Sequence, residues 1–171
     1  DWSSDVCSSD LVLTDAEQQS RPGVRGAEVR PLVAFDAPET CDDAQVRALR
    51  RGDLGAAFGP AFSELGLRSP MRLPEGRLAL FDRVLALEPT GGRFGLGRVR
   101  AEADIHPDDW FLTCHFVDDM VMPGTLMYEC CAHTLRVLLM RMGWVGEHDA
   151  VAWEPVVGNA AALRCRGPVT A

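Results

Sequence analysis

The chain has 171 residues, 47% apolar and 25% charged, with a net charge of −8, the profile of a globular domain with a sizeable core. That charge argues against a nucleic-acid partner, which needs a basic face to neutralise phosphates. The oiliest window, 120–145, holds Pro123, Glu129, His133, Arg136 and Arg141, too many polar groups for insertion into a membrane.

The first eleven residues, DWSSDVCSSDL, resemble the in-frame translation of a sequencing-library adapter; the alternative is a genuine Ser/Asp-rich tail. Setting aside Asp1, Asp5 and Asp10 takes the net charge from −8 to −5. No basic segment followed by an apolar one opens the chain, so no secretory signal is read. Six cysteines (Cys7, Cys41, Cys114, Cys130, Cys131 and Cys165) show neither CxxC pairing nor the density of a disulfide scaffold, which places the chain in a reducing, cytoplasmic compartment. Residues 12–40 scatter Pro22, Gly23, Gly26, Pro31 and Pro38 without a sustained period, and read as a linker or the tail of a preceding domain. The domain proper is placed at 41–171.

DDAQVRALRR (42–51) begins with acids and ends with arginines, as a helix dipole favours, and Gly52 and Gly55 stop it. LGAAFGPAFSEL (54–65) is a short apolar stretch broken at Gly59–Pro60. RLALFDRVLALEP (77–89) and RFGLGRVRAEADI (93–105) read as two strands joined at TGG (90–92), a hairpin. HPDDW (106–110) is a turn. Pro123 fits the first position of a helix that runs from Gly124 to Met142, apolar nearly all round, with Gly143 as its stop. Residues 150–171 offer one or two more strands. An α+β fold follows, an antiparallel sheet wrapped around a central apolar helix, with too little chain after the helix to complete the sheet; the sheet is expected to be C-terminally truncated.

The stretch CHFVDDMVMPGTLMYE (114–129) carries the chemistry. A helix N-terminus presents unpaired N–H groups to a developing oxyanion, and Gly124 lets a ligand approach closely. His115 has the neutral-range pKa of a general base. Glu129 lies ~9 Å along the helix axis at 1.5 Å per residue. With Leu126, Met127, Tyr128, Cys130 and Cys131 around it, burial is expected to raise its pKa and keep it protonated as an acid. Base, acid and oxyanion site together suit proton removal beside a thioester carbonyl with loss of a hydroxyl one carbon further on. The bland alternative is a structural histidine and a glutamate satisfied by an arginine or a backbone group. Glu129 and His133, four apart with Cys130 nearby, are the single metal-pair candidate, unsupported by any HExxH or paired CxxC. His106 and His148 read as solvated turn residues. The pairs Asp108–Asp109 and Asp118–Asp119 read as loop caps, with sugar chemistry by paired acids as the remote alternative.

On DRV, the GG turn, W-F-x-x-C-H-F, V-M-P-G and an acid fourteen residues after the histidine, the chain resembles the FabA-type β-hydroxyacyl-(acyl carrier protein) dehydratases, from about Gly52 to Ala171. TLMYECCAHTLRVLLMRMGW (125–144) is most similar to dehydratase domains embedded in polyunsaturated fatty acid or polyketide synthases. The resemblance implies a hotdog fold working in pairs, as a homodimer or as two hotdogs in one chain, with the histidine of one unit facing the acid of the other. It implies His115 as base, Glu129 as acid, the Gly124 N–H as oxyanion donor, and Cys114 and Pro123 beside the substrate. The substrate is then a 3-hydroxyacyl chain on the phosphopantetheine arm of an acyl carrier protein, with no further cofactor and no metal. Two positions depart from the FabA pattern: Glu129 stands for Asp, as in FabZ-type relatives, and Met120 for Pro. The competing readings are a non-catalytic acyl-binding or structural hotdog and a hotdog thioesterase, which would use a carboxylate and water.

Overall fold

A computed structural model describes residues 31, 33–92, 95–114, 118–143, 145 and 164–171. His115 and His148, the adapter-like segment, most of the linker and residues 150–163 lie outside the described residues.

The order of elements is β1 (Glu39–Cys41), α1 (Asp43–Arg51), α2 (Leu54–Phe58), α3 (Pro60–Ser63), β2 (Arg83–Glu88), β3 (Arg98–Glu102) and α4 (Gly124–Arg141). Short 3₁₀ turns occur at Gly76–Leu78 and Trp110–Thr113. Helix α1 starts where its acids foretold. Asp42 accepts from the Gln45 amide at 2.8 Å while the Gln45 side chain accepts from the Asp42 amide at 2.9 Å, a reciprocal cap. Gly52, at φ 78°, ends the helix in the left-handed conformation that glycine adopts without strain.

The sheet is antiparallel in the order β1-β2-β3. Its expected hairpin is present but shorter than its apolar pattern. Residues 77–82 turn through the 3₁₀ segment and run outside the strand until Asp82, whose amide donates to the Glu102 carbonyl at 2.8 Å, and β3 occupies only the middle of 93–105. Pairing Arg83 with Glu102 and Glu88 with Arg98 puts a salt bridge at each end of the hairpin, at 2.7 and 2.6 Å. Gly97 closes the turn at φ 117°, and a Cβ there would stand 2.9 Å from a Leu138 methyl on α4, so hairpin and helix approach at a point only glycine allows.

Strand β1 has no signal of its own in the sequence. The expected boundary between residues 40 and 41 falls inside it, and Phe35 upstream is buried in the main core. What binds this segment is Arg141, at the last turn of α4. Its buried guanidinium makes a two-pronged bond to Glu39 (2.7 and 2.6 Å) and donates to the carbonyls of Val33 (3.2 Å) and Ala34 (2.6 Å). It also stacks over the rings of Phe35 and Phe62.

Helix α4 agrees with its expected span to within a residue. It runs between two apolar clusters. Val137, Leu138 and Met140 join α1, α2, β2 and Phe35 in the larger one. Leu126 and Met127 join Leu80, Phe111, Leu112 and Met122 in the smaller. Among the described residues after the helix, 164–171 form no strand; they run beside the entry to α4, where the Met122 amide donates to the Val169 carbonyl at 2.9 Å.

Candidate active site

The smaller cluster brings the elements of the site together. Phe111 and Leu112, in the 3₁₀ turn before Cys114, pack in the same cluster as Leu126 and Met127 in the first turn of α4. The chain therefore leaves Cys114 and returns at Met122 beside one apolar anchor. Cys114 is exposed and its thiol donates to the Trp110 carbonyl at 2.9 Å, so it is engaged with its own turn.

Pro123 is the cap of α4 and not its first helical residue. Its ψ of 138° is extended, and its carbonyl accepts from the amides of Leu126 (2.9 Å) and Met127 (3.0 Å). Gly124 takes the first helical position, and its amide and that of Thr125 have no acceptor within the helix. Among the described residues outside the helix's own backbone, nothing lies within 4 Å of the place a Gly124 Cβ would occupy.

Glu129 corrects an expectation. Its side chain is 50% exposed where burial was expected. The apolar residues next to it in sequence point elsewhere; on a helix the neighbours of Glu129 are Thr125, Leu126, Ala132 and His133. With Thr125, Leu126 and Tyr128 it lines a shallow depression of about 330 Å³.

His133, in the sequence only half of a metal-pair candidate, has a different place in the fold. Its side chain is 3% exposed, and Nε2 lies 3.3 Å from Glu129 Oε2. Among the described residues no three His, Cys, Asp or Glu side chains converge as metal ligands, and the Cys130 thiol donates to the Leu80 carbonyl at 3.3 Å. Burial, with the Arg136 cation second, pushes the His133 pKa below its ordinary value, against the pull of Glu129 and of the Leu78 carbonyl. The ring is therefore neutral at pH 7, with one N–H to share between Leu78 and Glu129. The neighbour that the fold gives Glu129 is thus a buried histidine one turn along the helix. The i, i+4 spacing of Glu129 and His133 carried this signal in the sequence.

Comparison with known proteins adds a family to this geometry. The FabA-like domain family matches residues 73–171. A polyunsaturated fatty acid synthase polypeptide of Thraustochytrium sp. is 30% identical over 166 residues, covering 94% of this chain and 11% of that protein. The chain thus spans about a tenth of the length of that relative.

Proposed function

The chain belongs to the FabA-like family of hotdog dehydratase domains, and on that premise we propose that it removes water from 3-hydroxyacyl thioesters on an acyl carrier protein, giving trans-2-enoyl thioesters for fatty acid or polyketide assembly. The observation that carries the reading is Glu129. It stands exposed near the start of α4, where the Gly124 and Thr125 amides have no acceptor within the helix, and a buried histidine lies 3.3 Å from its carboxylate.

In this mechanism His115 takes the proton from the carbon beside the thioester carbonyl. The Gly124 N–H stabilises the negative charge that moves onto the carbonyl oxygen, in the way helix N-termini favour developing anions. Glu129 then gives its proton to the hydroxyl leaving the next carbon, which departs as water, and the proton on His115 returns to Glu129 to reset the pair. The His133 ring, 3.3 Å from the Glu129 carboxylate, keeps that side chain oriented. Cys114, next to His115 in the sequence, and Pro123, the cap of α4, stand beside the substrate in this reading. The steps call on no metal or organic cofactor beyond the phosphopantetheine arm of the carrier.

The exposure of Glu129 is what a half-site shows before a second hotdog covers it. We take the working unit to be a pair of hotdogs, as a homodimer or within a longer chain, with His115 of one unit serving Glu129 of the other. We take the dehydratase domain of a synthase to run to 171 and to include the 33–40 segment that Arg141 holds, with 12–32 leading into it. Incubation with a 3-hydroxyacyl thioester, followed by mass spectrometry, is expected to show loss of one water. His115→Ala and Glu129→Gln are expected to lower turnover by roughly 10²–10⁴-fold, the usual worth of a general acid or base. Equal turnover in wild type and both variants overturns the reading, and free acid without enoyl product replaces it with a thioesterase.

A further inference from the structure

The chain has one tyrosine, Tyr128, and it stands immediately before the glutamate of the candidate site. Its neighbours on α4 turn inward: Leu126 and Met127 are buried in the smaller cluster, and Cys130 packs against it. Tyr128 stays out of that cluster. It is half-buried, and with Thr125, Leu126 and Glu129 it lines the depression of about 330 Å³.

A leucine or phenylalanine would line an apolar wall as well; what tyrosine adds is a hydroxyl, and such a polar tip usually finds a partner when its ring is covered. Trp110, which packs against the same cluster, follows that rule, since its indole donates to the Arg77 carbonyl at 3.0 Å. The Tyr128 hydroxyl has no hydrogen-bond partner among the described residues. Thr125 is exposed at the rim, where water can satisfy its hydroxyl. The depression therefore holds one carboxyl, that of Glu129, and one half-covered O–H that the fold itself does not use. A substrate hydroxyl accepts two hydrogen bonds and donates one, so it can take a donor from each.

We propose that Tyr128 recognises the 3-hydroxyl of the substrate, donating its phenol O–H to that oxygen beside the Glu129 proton. This rests on the dehydration proposed above and names a determinant of what the same site accepts. As the carbon–oxygen bond breaks, its electron pair leaves with the oxygen, which takes the Glu129 proton and departs as water. The Tyr128 proton stays on Tyr128 throughout. A donor on an oxygen that gains negative charge bonds it more strongly as the bond stretches, so Tyr128 raises kcat as well as selecting the substrate. An acyl chain without the hydroxyl leaves the phenol unpartnered and binds less tightly.

Two dead-end ligands test this, the 3-hydroxyoctanoyl and octanoyl amides of N-acetylethylenediamine. Nitrogen in place of the thioester sulfur leaves the proton beside the carbonyl too weakly acidic to be removed, so neither ligand reacts. Ligand-observed NMR titration gives the affinities. Because Tyr128 is the chain's single tyrosine, fluorotyrosine labelling adds one fluorine resonance that reports on it alone. The wild type is expected to bind the hydroxylated amide roughly tenfold more tightly than the plain one, and Tyr128→Phe to lose most of that preference by weakening the hydroxylated ligand alone. The fluorine resonance is expected to shift with the hydroxylated amide and much less with the plain one. A wild type that binds neither ligand, or both alike, overturns the proposal. So does a Tyr128→Phe variant that keeps the preference, or one that weakens both ligands equally, which would assign Tyr128 to the arm or the chain. A Tyr128-dependent preference in a protein that dehydrates no thioester supports the hydroxyl site and refutes the reaction; dehydration with an unmoved preference in Tyr128→Phe does the reverse.

Discussion

The two ends of α4 are built for opposite purposes. At its C-terminal end the charged group is matched by the chain itself. Arg141 is buried, yet Glu39 and two carbonyls take up its guanidinium, and two aromatic rings cover it. Its neighbours Val137 and Met140 have no exposure at all. At the N-terminal end Gly124, Thr125 and Glu129 face outward, and two amides have no partner within the helix. A donor satisfied inside the fold stabilises it, whereas a donor left open at a helix start is available to a ligand. The contrast teaches where to look for stability and where for chemistry on one continuous element.

If the open end is chemical, Glu129→Gln lowers turnover by about a thousandfold, roughly 4 kcal/mol in the barrier at 1.36 kcal/mol per tenfold, while the urea midpoint stays at the wild-type value. A matching fall in stability would erase the contrast. If the closed end is structural, Arg141→Ala costs about 3 kcal/mol in urea unfolding, because Glu39 and two carbonyls lose their partner. Gly97→Ala strikes the same end from the hairpin. A side chain at φ 117° pressed against Leu138 is expected to cost about 2 kcal/mol, measured the same way.

The smallest effect belongs to His133, between the ends. Its folded pKa is depressed, so below the ordinary histidine value of about 6.5 the unfolded chain takes up a proton that the folded chain refuses. Its contribution to stability is fully present above that value and is lost as the pH falls from there toward the folded pKa. His133→Gln is therefore expected to flatten the fall in thermal midpoint between pH 7 and 5, and to move the acid limb of the pH–rate profile, which a merely structural residue would leave in place.

Local signals made much of this legible. The acids and arginines of 42–51, the Pro-Gly step at 123–124 and Gly143 marked helix limits that the fold keeps. Strand β1 was hidden because Glu39, Thr40 and Cys41 have no alternation of their own; pairing with β2 makes them a strand. Residues 77–82 are apolar enough for a strand, but their carbonyls serve side chains instead: Arg77 for Trp110, Leu80 for Cys130 and Phe81 for Arg50. The family motifs point to Glu129 directly, yet its surroundings cannot be read along the sequence, because a helix sets neighbours three and four residues apart. Cys41 is buried beside β2, and that burial pushes its thiol up to about 12, out of reach of ordinary alkylation.

The grip of Arg141 on residues 33–39 bears on how this protein can be divided. The stretch matched by the FabA-like family starts at residue 73, but the core around α4 is closed by Phe35, β1, α1 and Phe62, all upstream of that point. A fragment trimmed to the match would keep every motif residue and leave a buried cation with no counter-ion, no carbonyls and no rings over it. The length of chain that identifies the family is shorter than the length that the helix needs to stand in place.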